Sequence, residues 1–365
     1  MSEEHIRIDL DEVYRIAERA CRTAGFSAAH AGAIARTVRA AERDEAVSHG
    51  LFRVPFYVDA ITRGDASGDA EPELSTVSPG VLRADARYGF APLTLERAVP
   101  PLADAARSQG IAALSVVNAY NVAALWPEVE RLASEGLVAM AFTASLSYVA
   151  PAGGTKPLFG TNPMAFAWPR EGAPPVVFDQ ASSASARGEI QVRQRDGDSI
   201  PQHWAVDAQG RPTTDPDAAL SGAQLPFGGH KGSSIALMIE LLAGALLGDL
   251  FSCEATEEDR AGTGAPRGGE LVIAMAPERF EAGGRHRAGA EGAEADAGGE
   301  TRSSAAGPRA LSRAEALFER ILEQDGTRLP GDRRYAARRR TKTDGVAVPA
   351  HFYARLRELA DLDRS

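Results

Sequence analysis

Cysteine is scarce in this chain: Cys21 and Cys253 are the only two in 365 residues. A secreted disulfide scaffold would need more, so a reducing compartment is expected, and two thiols alone cannot build a cysteine-based zinc site. Long apolar runs are missing as well. The most apolar stretch, IALMIELLAGALLG at 235–248, carries Glu240 and falls short of the ~20 residues a membrane span needs. It reads as a buried helix. The first residues, MSEEHIRIDLDE, are acidic and polar, the wrong chemistry for a signal peptide. A cytoplasmic protein with no membrane partner is the expectation. No long basic block occurs: 40 Lys and Arg stand against 50 Asp and Glu, a net charge of −10. Nucleic acid is a poor partner for such a surface. A small anionic substrate would need a local positive cluster against that acidic background.

Nucleotide and metal signatures are absent too. The phosphate turn G-x-G-x-x-G does not occur; the one G-x-G, Gly262–Thr263–Gly264, leads to Arg267. Neither G-x-x-x-x-G-K-[ST] nor H-E-x-x-H is present. An ordinary Rossmann dehydrogenase, a P-loop NTPase and a zincin all lose support. Any nucleotide cofactor is pushed onto a less common scaffold, and no metal site is expected.

What is present is an alternation of elements. Val13, Ile16, Ala17 and Ala20 share one helical face over 10–25, with Gly25 as C-terminal cap. Ser27 is the N-cap of a second helix reaching about Glu45. A helix over 92–109 should be kinked or split by Pro100 and Pro101. Strands are expected at 111–118, 137–145 and 176–179, with a helix around 123–135 between the first two. This is an α/β chain, long enough for two or three lobes built together. Residues 281–309 are rich in Gly, Ala, Glu and Arg. They hold too little apolar surface to offset their ordering entropy and read as a flexible insertion. A helix follows from about Ala310 to Asp325, then a basic loop, GDRRYAARRRTK at 331–342, and a last helix over 350–361. No internal repeat is found.

Four polar clusters stand out. In ERDEAVSHGLFRVPFYV, residues 42–58, Ser48 and His49 end a helix and Arg53 follows four residues on. A helical turn there puts imidazole and guanidinium on one side. A His can donate a proton near neutral pH and an Arg can grip a carboxylate through two parallel hydrogen bonds; a capped helix end with a surface Arg is the plainer reading. LFGTNPMAFAWP, residues 158–169, presents Thr161 from a turn, or is simply a turn before a strand. VVFDQASSASARGEIQV, residues 176–192, follows a buried strand with small residues that admit a flat ligand, or that merely link two elements. LPFGGHKGSS, residues 225–234, opens the apolar helix with His230 and Lys231, a good place for phosphate or an ordinary capped start.

In this order the four clusters resemble the malate/L-lactate dehydrogenase-like family of NAD(P)H-dependent oxidoreductases, and SHG, FGTNP and GGHKG together are specific for it. The resemblance covers nearly the whole chain, including RLPGDRRY at 328–335, and fails mainly across 281–309. It is strongest toward the Δ1-piperideine-2-carboxylate/Δ1-pyrroline-2-carboxylate reductases, through ERD…SHG.FR.P.YV, AALWP at 123–127 and LPFGGHKGS. It implies a non-Rossmann NAD(P)-binding fold of the sulfolactate dehydrogenase-like type, with a large mixed or antiparallel sheet and flanking helices, and a homodimer. It implies NADPH, with NADH possible. His49 would be the proton donor and Ser48 its relay neighbour. Arg53 would bind the substrate carboxylate, with Thr161, Arg187 and Gly188 lining the substrate site. Asn121, Val122, Ala123, Ala124, Leu125, Asp179, Gln180, Ala181, His230 and Lys231 would contact the cofactor. The implied division runs 1–117 (helical, with the catalytic His), 118–280 (cofactor and substrate), 281–309 (insertion) and 310–365 (returning to the first).

Two departures accompany the resemblance. The family's relay Asp is Glu189 here, one methylene longer, and its paired His near the cofactor is replaced by Tyr120 and Asn121. The implied chemistry is reduction of a cyclic ketimine acid to L-pipecolate or L-proline. Reduction of a 2-oxo acid to a 2-hydroxy acid uses the same residues and stays open. A binding protein on a decayed enzyme scaffold stays open too, motivated by these departures and the odd insertion.

Overall fold

The computed structural model describes residues 4–259, 262, 264, 266–281 and 309–362. The expected insertion thus lies outside the described residues except at its two ends. The chain opens with strand β1 (His5–Ile8), helices α1 (Leu10–Ala24) and α2 (Ala28–Arg43), 3₁₀ turns at Val47–His49 and Leu51–Arg53, and helix α3 (Val54–Thr62). The local chemistry of α1 and α2 is as expected. Val13, Ile16, Ala17 and Ala20 are fully buried, Gly25 closes α1 in the left-handed region, and the Ser27 side chain accepts from the His30 N–H. Then come β2 (Glu73–Ser78), β3 (Val81–Asp85), α4 (Ala91–Gln109), β4 (Ile111–Tyr120), α5 (Trp126–Ser134), β5 (Val138–Thr143), β6 (Met164–Trp168), β7 (Val176–Gln180) and α6 (Arg187–Asp196). After these lie β8 (Ala205–Val206), α7 (Pro216–Ser221), β9 (Ala223–Gln224), α8 (His230–Ile239), α9 (Ser252–Glu258) and β10 (Arg267–Met275). The chain closes with α10 (Arg309–Leu322), α11 (Asp332–Asp344), β11 (Val346–Pro349) and α12 (Ala350–Leu359).

The large sheet is mixed, in the order β2-β3-β4-β10-β5-β6-β7, with β3 and β4 parallel and the other neighbours antiparallel. Period-two alternation sorts its side chains onto two covered faces. Leu114, Val116, Val272 and Ala274 pack with Leu95, Val99, Leu102 and Leu132 of α4 and α5. Their neighbours Val117, Leu271 and Ile273 pack with Ile239, Ala243 and Leu247. A further core joins α1, α2 and α3 to Val346, Val348 and Leu356, and β1 pairs antiparallel with β11. The two ends of the chain therefore share one core.

Three expectations are corrected. α4 is not split: it runs through Pro100 and Pro101 as one helix. Pro100 is exposed, on the solvent side of the helix, where backbone carbonyls that lose a helical partner are open to hydration. The basic stretch 331–342 is not a loop; most of it is α11. Apolar packing does not hold that helix. Arg338 donates to Asp44 (Nε–Oδ1 2.7 Å) and Glu130 (Nη1–Oε1 2.8 Å). Burial alone would raise the Asp44 pKa, but hydrogen bonds from Arg338 and Arg43 outweigh it and hold the carboxylate below its usual range. The stretch 235–248 is helical but not wholly buried. It turns into a π-type segment at Glu240–Ala245 and leaves Leu237, Met238, Leu241 and Leu246 exposed. Glu240 points inward and accepts from Asn162 Nδ2 (2.8 Å) and Ser252 N (2.9 Å). Among the described residues no helix is long and apolar enough to cross a membrane.

One buried acid sets the entrance to the site. Glu42, near the end of α2, is 4% exposed and its Oε1 accepts from the Leu51 N–H at 2.7 Å. It lies so close beneath the turn that a Cβ at Gly50 would collide with Oε1. Burial drives its pKa up to about 7, the Leu51 hydrogen bond opposing. The folded state therefore holds a proton that the unfolded chain releases at its ordinary value of 4.5. This contribution to stability is fully present below pH 4.5 and is lost as pH rises through about 7, at most about 3 kcal/mol. Glu42→Gln mimics the protonated acid without titrating. The variant's melting temperature minus that of the unsubstituted protein is expected to rise between pH 5 and pH 8. A difference that stays flat across that range would remove Glu42 as a buried titrating group.

Candidate active site

The segment between α2 and α3 forms two 3₁₀ turns broken at Gly50, not one helical turn. The break still leaves His49 and Arg53 on the same cleft. Ser48 Oγ lies 3.0 Å from His49 Nδ1, and Arg53 Nε donates to the Ser48 carbonyl at 2.8 Å. The Arg53 guanidinium lies over the rings of Phe52 and Phe56, at 5.6 and 5.1 Å from their centres. Its terminal nitrogens have no carboxylate partner among the described residues. Burial lowers its pKa, yet a guanidinium remains cationic. Burial first, and the Arg53 charge second, push His49 down to about 3. The imidazole is neutral at neutral pH, with Nδ1 engaged by Ser48 and Nε2 left for the cleft.

The cleft measures about 420 Å³, within the range of small-molecule sites. Thr161 reaches it from a loop held from beneath. Buried Asn162, in the left-handed region at φ 36, donates to Ala236 O (3.1 Å) and Glu240, while Thr161 N donates to Ser145 Oγ at 3.0 Å. Arg187 begins α6 and lies 3.8 Å over the centre of the Tyr148 ring. Gly188 abuts the Ser48 turn, where a Cβ would come 3.2 Å from Ser48 Cβ. A second wall carries Asn121 to Leu125, between β4 and α5, with Asp179, Gln180 and Ala181. Asp179 accepts from the Leu125 N–H (2.8 Å) and the Trp126 N–H (3.1 Å).

Most of the sequence-expected residues thus meet in one place, and three do not. Glu189 is exposed and pairs with Arg193 one helical turn on (Oε1–Nε 3.2 Å), not with Ser48 or His49. The i, i+4 spacing on α6 offers it that partner directly. His230 and Lys231 are exposed at the start of α8 and do not line the cleft. Ser48 supports the site through His49 and Arg53 without lining it itself. Sequence reasoning missed Arg334, Tyr148 and Trp126, all cleft-lining. Arg334 was visible only as part of the basic stretch. It donates to Val177 O at 2.8 Å and lies 5.0 Å from the Trp126 ring centre.

The second wall suits a nicotinamide dinucleotide. Val122, Ala123, Ala124 and Ala181 are small, so a flat ring can approach closely. The N–H groups of Val122 and Ala124 make no hydrogen bond among the described residues, and Arg334 keeps nitrogens free beside them. Unpaired amide donors with a cation fit phosphate and carboxamide oxygens.

The family model for malate/L-lactate dehydrogenase matches residues 8–298. The Δ1-pyrroline-2-carboxylate/Δ1-piperideine-2-carboxylate reductase of Pseudomonas aeruginosa is 49% identical over 98% of this chain and 100% of that protein. That of Pseudomonas putida is 41% identical over 97% of each. Among solved structures, the Δ1-piperideine-2-carboxylate reductase of Pseudomonas syringae superposes with TM-score 0.86 at 37% identity, covering 97% of this chain and 99% of that one. The sulfolactate dehydrogenase of Methanocaldococcus jannaschii superposes with TM-score 0.79 at 25% identity, covering 98% and 97%. The chain belongs to the malate/L-lactate dehydrogenase family of oxidoreductases, whose members use a nicotinamide cofactor.

Proposed function

We propose that this chain reduces the C=N bond of a cyclic ketimine acid, Δ1-pyrroline-2-carboxylate or Δ1-piperideine-2-carboxylate, to L-proline or L-pipecolate, with NADPH preferred over NADH. The observation that carries this reading is the pairing of a neutral His49 with Arg53 in the cleft, the guanidinium lacking a carboxylate partner among the described residues. The names of the reductases that match nearly the full chain support it.

When bound, the cofactor supplies the hydride. The protein's part is to hold, orient and protonate. Arg53 takes the substrate carboxylate through its free terminal nitrogens, which fixes C2 of the ring. Arg187, stacked on Tyr148, adds a second positive charge on the same cleft. Thr161 and Gly188 shape the space for the ring. Burial is the larger cause that holds His49 neutral and the Arg53 charge the smaller; a carboxylate on Arg53 offsets the smaller one. An imidazolium formed there is a strong acid and hands its proton readily to the imine nitrogen. Glu189 is the acid we assign to the Ser48–His49 pair, and it must leave Arg193 to serve it. Val122, Ala124 and Arg334 hold the cofactor from the second wall, and His230 and Lys231 are assigned to its outer part. The exposed row Leu237, Met238, Leu241 and Leu246 supports a homodimer that covers it.

The direct test is oxidation of NADPH and NADH with the two ketimine acids, pyruvate and oxaloacetate. The ketimines are expected to give the highest kcat/KM, with NADPH favoured. Faster turnover of an oxo acid would move the chain to the CH–OH reaction on the same fold, and no turnover of either class would sink the enzymatic reading.

Arg53→Lys should raise the KM for the carboxylate substrate by about tenfold or more, because an ammonium cannot reproduce a two-point grip. Unchanged KM would place the carboxylate on another residue. Glu189→Gln should lower kcat/KM about 10²-fold and move its pH profile, while Arg193→Ala leaves the rate intact. If the Gln variant keeps the parent rate and profile, Glu189 is a surface partner of Arg193 and nothing more.

A further inference from the structure

The loop from Asn121 to Leu125 is gripped at both ends by buried acids. Asp179 holds the far end through the Leu125 and Trp126 N–H groups. The near end depends on one side chain amide. Asn121 Nδ2 donates to Glu270 Oε2 at 2.9 Å, and Asn121 Oδ1 accepts from the Ala123 N–H at 2.9 Å. The amide can satisfy both only in one orientation. Glu270 acts as the acceptor that selects it.

Glu270 is out of place in a buried strand. It is 1% exposed on β10, at the point where the register with β4 slips between Gly268 and Glu270. Among the described residues its Oε1 has no hydrogen-bond partner, and neither has Oε2 of Glu128 on α5. A buried carboxyl with an unsatisfied oxygen destabilises the fold, and nothing in the core packing calls for one here. Among the described residues the one hydrogen bond its side chain makes is to the loop that lines the cleft.

We propose that Glu270 is a positioning residue that fixes the Asn121–Leu125 loop through Asn121 and so sets the affinity for the nicotinamide dinucleotide. The inference rests on the reading that this loop lines the cofactor site. Glu128 (α5) and Asp179 (β7), whose own pKa burial raises, are the charged groups around it, with Arg334 (α11) beside Asp179 and Tyr57 of α3 behind Glu128. Burial, then repulsion among these carboxyls, raises the pKa of Glu270 and Glu128. The loop therefore rests on a carboxyl pair that keeps a proton near neutral pH. As pH rises the pair ionises and sets negative charge beneath a site for a polyanion, so cofactor binding weakens.

The test is a titration of NADPH fluorescence in the absence of substrate, from pH 6.5 to 9. It uses the full chain and its Glu270→Leu, Glu270→Gln and Asn121→Ala variants, with melting curves to check folding. Glu270→Leu and Asn121→Ala should each weaken binding about tenfold, the worth of one buried hydrogen bond. The double variant should be no worse than either single one, since both remove the same link. Glu270→Gln keeps an acceptor and should bind within about twofold of the parent at pH 7. It should also lose the weakening at high pH that the parent shows. With saturating cofactor, kcat should hardly move in the two Glu270 variants, so that their loss is read in the KM for NADPH. If Glu270→Leu does not fold, Asn121→Ala and the pH series of Glu270→Gln decide. The proposal is overturned if Asn121→Ala binds NADPH like the parent, if the losses add in the double variant, or if Glu270→Gln keeps the parent's pH dependence. A parent protein that binds neither NADPH nor NADH would overturn the functional reading as well. A parent that binds while the variants bind equally would overturn the Glu270 proposal alone.

Discussion

A positive charge on Arg53 sits in the protein with one backbone carbonyl as its hydrogen-bond partner among the described residues. That constraint organises the rest of the site. An unpaired buried charge is costly unless another group offsets it, and the chain offers aromatic faces and a carbonyl but no carboxylate. The same charge, added to burial, keeps His49 neutral. A carboxylate ligand supplies what is missing and changes the balance at His49 in one step. In the proposed mechanism, binding and protonation are linked through a Coulomb interaction between neighbours four residues apart.

The scaffold under this charge is built from acids that hold bent segments in place, and one of them, Asp179, also lines the cleft. Glu42 fixes the turn that carries His49, Glu240 fixes the loop that carries Thr161, and Asp179 fixes the far end of the loop Asn121–Leu125. Each accepts hydrogen bonds from backbone or amide N–H groups that a bent segment leaves unpaired. Strands and helices satisfy their own backbone; turns that present catalytic groups cannot. The buried acids are the consequence. They also explain how a chain of net charge −10 keeps its guanidiniums available: much of its negative charge is spent on backbone or on surface partners away from the cleft.

What was legible in the sequence was local. The caps at Ser27 and Gly25, the apolar face of α1 and the mixed α/β alternation follow from chemistry within a few residues. The motifs SHG and FGTNP marked turns that reach the cleft, because glycine and asparagine announce bends, whereas GGHKG marked the exposed start of α8. What was illegible depends on distant partners. α11 has no apolar stripe, and its helix is held by ion pairs from Arg338 to Asp44 and Glu130, far away in sequence. Arg334 consequently looked like one more residue of a basic loop. Glu270 read as an ordinary strand residue, because its role depends on a register slip against β4 and on Asn121 across the sheet. Glu189 shows the converse: the motif drew attention to its carboxylate, and the nearer cation Arg193, one helical turn on, holds it.

The central claim is that Arg53 and His49 act on one planar acid from the same side of the cleft. A crystal structure with NADP⁺ and pyrrole-2-carboxylate, a flat analogue of the five-membered ketimine, measures this directly. The account predicts both carboxylate oxygens within hydrogen-bond distance of the Arg53 guanidinium and the ring nitrogen turned toward His49 Nε2. A carboxylate held elsewhere, with Arg53 still unpaired, would contradict it.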